Sequence, residues 1–161
     1  MIIFGIDPGL NGAIAVFNNN KIKVVSEIPV MTEGKKNKKQ LNSAHLVKLL
    51  RDNLIENEET SVVVEQVNAM PGQGVTSMFN FGQTFGAIKG ICASLGLPIF
   101  FVRPSKWKKH FDLINSQKDS SRTKAIEMYP SLSNELSRKK DVNKADAILI
   151  ARYFFETNTS K

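Results

Sequence analysis

Apolar positions in the first quarter of the chain follow the short runs and two-residue alternation that are typical of β-strands. Residues 1–6 form a short apolar run, residues 12–17 (GAIAVF) form a second, and residues 21–30 alternate after a turn of three asparagines. Such segments joined by tight turns predict an antiparallel meander of three strands. Residues 31–41 contain a glycine and four lysines, which predicts a solvated, mobile loop.

The rest of the chain changes between helical and strand-like spacing of its apolar residues. We predict strands at 61–66 and 97–102, and helices at 43–56, 76–95, 104–110 and 143–155, with another helix ending at Met128 after a polar, turn-rich stretch at 115–124. The continuous valines of the strand at 61–66 indicate cover on both faces, as in the parallel part of a mixed sheet. This order predicts one α/β domain spanning 1–161, a five-stranded mixed sheet flanked by helices on both faces.

Composition and charge narrow the class of partner. Among 161 residues, 42% are apolar and 23% charged, and 22 Lys and Arg against 15 Asp and Glu give a net charge of +7. A basic chain favours an acidic partner, nucleic acid first and an anionic membrane surface second. The single cysteine excludes an internal disulfide framework. The N-terminus lacks the basic region of a secretory signal, and no apolar run reaches about 18 residues, so we expect a cytoplasmic or nucleoid-associated protein with no membrane partner.

Three acids far apart in the sequence are candidate functional residues. Asp7 ends the first strand, where open sheets place ligand groups, although Asp-Pro-Gly is also a good turn sequence. Glu65 ends the buried run SVVVEQ, where an ionised carboxylate is costly without a partner or a cation, unless the strand surfaces there. Asp146 lies in an apolar stretch of the last helix, on the same face as Asn143. Asp141 and Asn143 are also good residues for capping that helix.

One mixed sheet can bring these three carboxylates together. Closely packed like charges repel and raise each other's pKa values unless a cation joins them. A set of oxygen ligands suits Mg²⁺ or Mn²⁺ better than Zn²⁺. Two such ions can activate water and stabilise the leaving oxygen in phosphodiester hydrolysis.

Four motifs together resemble the RuvC-type Holliday junction resolvases, in particular the compact forms common in phages and prophages. They are GIDPGLNGA at the start, VVVEQV around Glu65, GQTFGAIKG in the middle helix and NKADAILIA at the end, and they occur in the order and spacing of that family over nearly the whole chain. The resemblance implies an RNase H-like fold, a homodimer, divalent-metal dependence and paired symmetric nicks in four-way DNA junctions. Carried over residue by residue, it implies that Asp7, Glu65 and Asp146 are the catalytic acids and metal ligands.

The chain departs from the family pattern at two positions. The fourth ligand of the family falls on Asn143, whose neutral oxygen would hold a second ion more weakly than a carboxylate. Asp141 could replace it only if the start of the helix bends inward. The aromatic residue that some relatives place at the junction centre falls on Asn68, which leaves Met70, Met78, Phe79 or no residue for that role.

Basic residues in the second half of the chain fit the phosphates of a DNA arm. They are Lys106, Lys108, Lys109, Lys118, Arg122, Lys124, Arg138, Lys139, Lys140 and Lys144. Phosphate contacts of this kind provide affinity without reading sequence, whereas the rival interpretation is a solvated charged face. Lys118 resembles a basic residue that relatives place near the scissile phosphate. The lysines of the loop at 31–41 are equally consistent with a DNA contact and with a mobile charged loop.

Other candidate residues have simpler interpretations. We expect His45 to be solvated or structural, His110 to be a partly buried structural residue or a phosphate contact, and Cys92 to pack in the core or an interface. The aromatic residues Phe79, Phe81 and Phe85 on the middle helix suggest a dimer interface, with core packing as the alternative.

The sequence therefore predicts a metal-dependent endodeoxyribonuclease that resolves four-way junctions as a dimer. One alternative is a broader nuclease that also cuts flaps and forks. A second is a junction-binding protein with weak or lost cleavage. An actin-like sugar kinase or ATPase also carries an Asp-Gly strand turn, but this chain is too short for the two lobes of such a protein.

Overall fold

Five strands form one mixed sheet in the order β3-β2-β1-β6-β7, and two further strands form a separate hairpin. The computed structural model describes residues 1–34 and 38–158. The strands are β1 Ile2–Asp7, β2 Ala13–Asn18, β3 Lys21–Glu27, β4 Val30–Glu33, β5 Lys38–Leu41, β6 Thr60–Glu65 and β7 Ile99–Val102. The helices are α1 Ser43–Asp52, α2 Val75–Ser94, α3 Pro104–His110, α4 Ser120–Met128 and α5 Val142–Asn158, with short 3₁₀ turns at Pro130–Leu132 and Lys139–Asp141.

The sheet has the predicted mixture of strand directions. The first three strands form the antiparallel meander, whereas β6 runs parallel to both β1 and β7. The middle residues of β1 and β6 are buried on both faces, which explains why both strands are almost continuously apolar. The prediction of a five-stranded mixed sheet flanked by helices is therefore confirmed.

Alternate residues of the central strands pack into two separate cores. On one face Ile6 and Val64 join the core formed with α1 and α2. On the other face Ile3 and Val63 join the core formed with α3, α4 and α5. Because side chains alternate across a strand, Asp7 and Glu65 belong to the face covered by α3, α4 and α5.

Helix α5 lies unusually close to the middle of the sheet. A Cβ atom on Gly5 would lie 2.8 Å from the Cβ of Ala151 and closer still to the carbonyl oxygen of Ala147. Glycine at this position of β1 therefore allows the helix backbone to rest directly on the strand. The close approach fixes the height of α5 above the carboxyl end of β1.

The predicted loop at 31–41 is wrong in part, because β4 and β5 pair there as an antiparallel hairpin. The hairpin is held at its base, where Leu41 is buried and the N–H of Asn42 donates to the carbonyl of Pro29 at 2.8 Å. Most of its side chains are charged or polar, so the apolar alternation that reveals a strand is missing. The loop residues Lys35 and Lys36 lie outside the described residues.

Three helix ends also differ from the sequence prediction. Helix α4 begins at Ser120, inside the stretch predicted as a polar turn. Helix α1 ends at Asp52, four residues early, because Asn53 caps it. Helix α5 continues to Asn158, three residues beyond the predicted end at 155. None of the described helices is long and apolar enough to cross a bilayer.

Candidate functional site

Asp7 and Glu65 end neighbouring parallel strands and lie side by side. Ile6 of β1 pairs with Val64 of β6, so the next residue of each strand is a carboxylate on the same face of the sheet. The chain leaves β1 at Pro8, and the N–H of Gly9 donates to the carboxylate of Asp7. The carboxyl ends of parallel strands are where open α/β sheets place ligand groups.

Asp146 approaches the same pair from helix α5. The helix crosses the face of the sheet to which Asp7 and Glu65 belong, and the charge of Asp146 acts on both of those carboxylates. One of its oxygens, Oδ1, is buried and has no hydrogen-bond partner among the described residues. The structure therefore brings together the three acids that the sequence singled out, two from strand ends and one from a helix.

Burial raises the pKa values of all three acids, and the charges of neighbouring carboxylates add to this effect at Asp7 and Glu65. Burial, followed by the charges of Glu65 and Asp146, raises the pKa of Asp7 from 3.8 to about 7. Burial is also the largest cause that raises the pKa values of Glu65 and Asp146. A group of carboxylates whose ionisation is opposed in this way is an electrostatic environment that favours a cation.

These acids are neighbours without enclosing a metal site in the present side-chain positions. Across residues 1–34 and 38–158, no three His, Cys, Asp or Glu side chains are close enough together to hold a metal ion. The charges of the acids act on one another, but their side chains are not at the mutual distances of a metal-ligand set.

Three further residues surround the acids, of which the sequence analysis identified only Lys108, as a candidate phosphate contact. The indole N–H of the fully buried Trp107 donates to Oε1 of Glu65 at 2.9 Å. Lys108 lies over the Trp107 ring, 5.3 Å from its centre, and its charge lowers the pKa of each of the three acids. The buried Ser121 hydroxyl hydrogen-bonds to Asp146 and lowers its pKa. Trp107 and Glu65 are 42 residues apart, so no local pattern reveals their pairing.

Asn143 and Asp141 have different surroundings. The side-chain amide of Asn143 donates to the carbonyl of Asn11 at 2.6 Å, and Asn143 lines a cavity of about 150 Å³ together with Asp146. Asp141 is 1% exposed and accepts hydrogen bonds from the backbone N–H and the guanidinium of Arg138. Lys144 lies 3.4 Å from it, and these partners hold the pKa of Asp141 well below its usual range. Asp141 therefore caps the turn before α5 and does not face the other acids.

The predicted basic residues fall into two groups. Lys106, Lys109, Lys118 and Lys139 are exposed, and Lys118 lines the small cavity beside Asp146 with Lys108. The others are engaged within the protein. Lys124 pairs with Glu127, Lys140 with Glu27, and Arg138 and Lys144 with Asp141.

Arg122 is bound most completely. Its guanidinium forms two hydrogen bonds with Asp119 and two with the carbonyls of Leu136 and Ser137. With four of its donors committed, Arg122 fixes the start of α4 against the following loop. A structural role fits Arg122 better than a phosphate contact.

The remaining candidates lie away from the acids. Cys92 is buried in the core formed with α1 and α2. His110 pairs with Glu156 at 2.6 Å and packs edge-on against Tyr153, as expected of a structural histidine. His45 is exposed in the first turn of α1, where its N–H is capped by Asn42.

The raised pKa of Asp7 predicts that the metal-free protein loses stability as the pH rises from 5 to 8. The folded protein retains a proton that the unfolded chain, with its ordinary pKa near 3.8, has already released, so folding becomes less favourable across this range. Glu65 and Asp146 act in the same direction. Groups with lowered pKa values, such as Asp141, change stability only below about pH 4. We expect the Tm in EDTA to fall by about 5–10 °C, measured by circular dichroism. A Tm at pH 8 equal to or higher than the Tm at pH 5 would contradict the raised pKa of Asp7.

Solved structures of Holliday junction resolvases share this fold. The chain is similar to Thermus thermophilus RuvC, with 19% sequence identity, a TM-score of 0.58 and coverage of 100% of this chain and 99% of that one. A structure of T. thermophilus RuvC in complex with Holliday junction substrate matches with 18% identity, a TM-score of 0.54 and the same coverage. The fowlpox virus Holliday junction resolvase matches with 18% identity, a TM-score of 0.50 and coverage of 98% and 99%.

No protein-family model matches the chain, and no curated protein sequence matches it significantly. At these levels of identity the structural likeness establishes the fold. The chain has the RNase H-like fold of the RuvC-type resolvases, as its sequence motifs indicated.

Proposed function

We propose that this protein is a crossover junction endodeoxyribonuclease that resolves four-way DNA junctions by metal-dependent hydrolysis, with paired symmetric nicks. The observation that carries the proposal is the convergence of Asp7, Glu65 and Asp146 at the carboxyl end of β1 and β6, in a fold shared with two junction resolvases. One of those neighbours is described in complex with a Holliday junction substrate. On this proposal the whole chain forms one nuclease domain, and it works where DNA is, in the cytoplasm at the nucleoid.

The acid cluster fits divalent cations by its chemistry. Its carboxylates and the Asn143 amide are oxygen donors, which suit Mg²⁺, with Mn²⁺ as its substitute. Oδ1 of Asp146 is a buried acceptor without a partner among the described residues, and the raised pKa values mean that ionisation of the acids is opposed unless a cation compensates their charge. Asp7, Glu65 and Asp146 would hold the metal ions, which we propose are two in number, with Asn143 assisting. When bound, such ions make water a nucleophile and stabilise the leaving oxygen.

The protein's own residues would bind the phosphate and orient the acids. Lys108 and Lys118 carry positive charge beside Asp146 and can receive the non-bridging oxygens of the scissile phosphate. Trp107 holds Oε1 of Glu65, which leaves the second oxygen of that carboxylate for a metal ion. The exposed lysines of α3 and the turn before α5 can bind the DNA backbone without reading its sequence.

A homodimer would place two such sites on one junction. Helix α2 carries the most exposed apolar side chains of the described structure, with Val75 82% and Phe79 66% exposed. Phe81 stacks on Phe85, which in turn contacts the half-exposed Phe101. An exposed apolar surface of this kind on one helix could pair with its copy across a twofold axis, and two symmetric sites would nick strands of like polarity. Met70, in the loop before α2, and Phe79, near the N-terminus of α2, are exposed. Either could contact the junction centre in place of an aromatic residue at Asn68.

Replacing Trp107 with phenylalanine should lower the junction cleavage rate about tenfold. The substitution keeps an aromatic ring in the core and removes the hydrogen bond to Glu65, a bond to a charged group that contributes about 1.5–3 kcal/mol. Single-turnover cleavage at saturating protein measures the effect. Phe111→Leu on the same side of the core is the matched control, because it loses a similar packing volume without touching an acid. If both variants cut at the same rate, Trp107 has only a packing role.

The decisive experiment compares a synthetic four-way junction with a linear duplex, a flap and a Y-fork in Mg²⁺, Mn²⁺ or EDTA. Paired nicks in the junction alone, lost in EDTA, are the expected result. Equal cutting of flaps and forks would indicate a broader branched-DNA nuclease. Tight junction binding without cleavage in either metal would indicate a binding protein on this fold.

A further inference from the structure

Three cavities on the protein surface adjoin one another and share lining residues. The small cavity beside Asp146 shares Lys118 and Asn143 with a cavity of about 840 Å³. That larger cavity shares Leu10 and Lys39 with a third of about 230 Å³. The third cavity ends at Asn80 and Gln83 on helix α2. We call this series of cavities, from Asp146 past Lys39 to Gln83, the strand track.

Lysines outnumber acids in the large cavity of the strand track. Five lysines line the large cavity, from four separate parts of the chain: Lys39, Lys118, Lys139, Lys140 and Lys144. The two acids that line it, Glu27 and Asp119, already have basic partners in Lys140 and Arg122. In the third cavity Lys39 is the one charged residue, among amides, hydroxyls and apolar side chains. Positive charge with neutral amides suits a phosphodiester backbone.

The β4–β5 hairpin lines both of the larger cavities, and Lys39 is common to the two. Lys39 pairs with Thr32 across the hairpin ladder, and the base of the hairpin is anchored by the buried Leu41. The backbone of Lys39 is thus fixed in a sheet, whereas its side chain is exposed in the strand track. A lysine presented in this way can contact a phosphate with little further ordering of the backbone.

We propose that the strand track binds the DNA strand being cut, between the scissile phosphate and the crossover, with Lys39 as its central phosphate contact. One end of the track is the acid cluster, and the other end is the helix whose apolar face we assign to the dimer. A twofold axis at that helix brings the far ends of two tracks together, which is where the strands of a junction exchange. The inference rests on the proposed function and assigns to the hairpin the role of guiding the strand.

Binding of the four-way junction in EDTA, titrated with salt, tests the role of Lys39. Lys39→Gln should weaken junction affinity on the order of threefold to tenfold and reduce the salt slope by about one, because one phosphate contact is lost. Lys39→Arg should retain both. Lys21→Gln is the matched control, since this exposed lysine lies at the opposite end of the sheet from Asp7. Wild-type affinity and slope in Lys39→Gln would overturn the proposal.

Cross-linking tests the direction of the track. A benzophenone side chain in place of Gln83 should cross-link to nucleotides next to the crossover, and one in place of Lys39 to nucleotides nearer the cut. Cross-links from either position to the arm ends alone would overturn the proposed path. Cleavage by the wild-type protein in Mg²⁺ tests the nuclease function separately. If the wild-type protein cuts the junction and Lys39→Gln binds it with wild-type affinity, the strand track is rejected and the nuclease function is kept. If Lys39→Gln weakens binding but the wild-type protein does not cut, the nuclease function is rejected and DNA binding by the strand track is kept.

Discussion

Replacing Asp7 with asparagine should reduce junction cleavage at least about 1,000-fold and leave junction binding within about threefold of the wild-type affinity. The charges of Glu65 and Asp146 both act on Asp7, and we propose that Asp7 is one of the acids that would hold the metal ions. Removal of its charge should take away about 4 kcal/mol or more of transition-state stabilisation, whereas the lysines that we propose bind the DNA backbone are unchanged. Gel-based cleavage rates and fluorescence anisotropy on the same junction measure the two effects.

The control is Asp52→Asn, which removes an acid from an exposed position at the end of α1. It should cut and bind like the wild-type protein. Asp7→Asn should also be more stable than the wild-type protein in EDTA at pH 8, because it removes a buried charge whose ionisation opposes folding. An active Asp7→Asn variant would show that the metal site is elsewhere. An inactive variant that is also less stable would show that Asp7 has a structural role instead.

The sheet and the acid cluster could be predicted because their signals are local. The apolar runs of β1 and β6 each end at a carboxylate, and a parallel pairing of those strands is enough to bring Asp7 and Glu65 together. Asp146 interrupts an apolar helix, which is itself a sequence signal. Given the strand order, the alternation of side chains across a strand places Asp7 and Glu65 on the same face of the sheet.

The features that the sequence did not reveal depend on contacts between distant segments. The β4–β5 hairpin is stabilised by backbone pairing and a single buried leucine, so its lysine-rich sequence resembles a loop. The start of α4 depends on the hydrogen bonds from Arg122 to carbonyls 14 and 15 residues away. In the sequence Asp141 and Asn143 are equally good capping residues. The hydrogen bonds from Arg138 show that Asp141 caps the turn before α5.

Replacing Gly5 with alanine should lower the free energy of unfolding by about 3 kcal/mol. The new Cβ would lie 2.8 Å from the Cβ of Ala151 and closer to the carbonyl oxygen of Ala147, so α5 must move away from β1. Backbone atoms cannot rotate aside as a flexible side chain can. Because the same helix carries Asn143 and Asp146, its displacement should also slow junction cleavage. Urea denaturation measures the first effect.

The matched control adds the same methyl group where the structure leaves space for it. Gly90 lies in the exposed part of α2, and a Cβ there would have no atom within 4 Å. Gly90→Ala should therefore leave stability unchanged or raise it by about 0.5–1 kcal/mol, since alanine favours a helix. If the two variants were equally stable, α5 would not rest on β1 at Gly5. The height of α5 above the sheet would then no longer explain how Asp146 reaches Asp7 and Glu65.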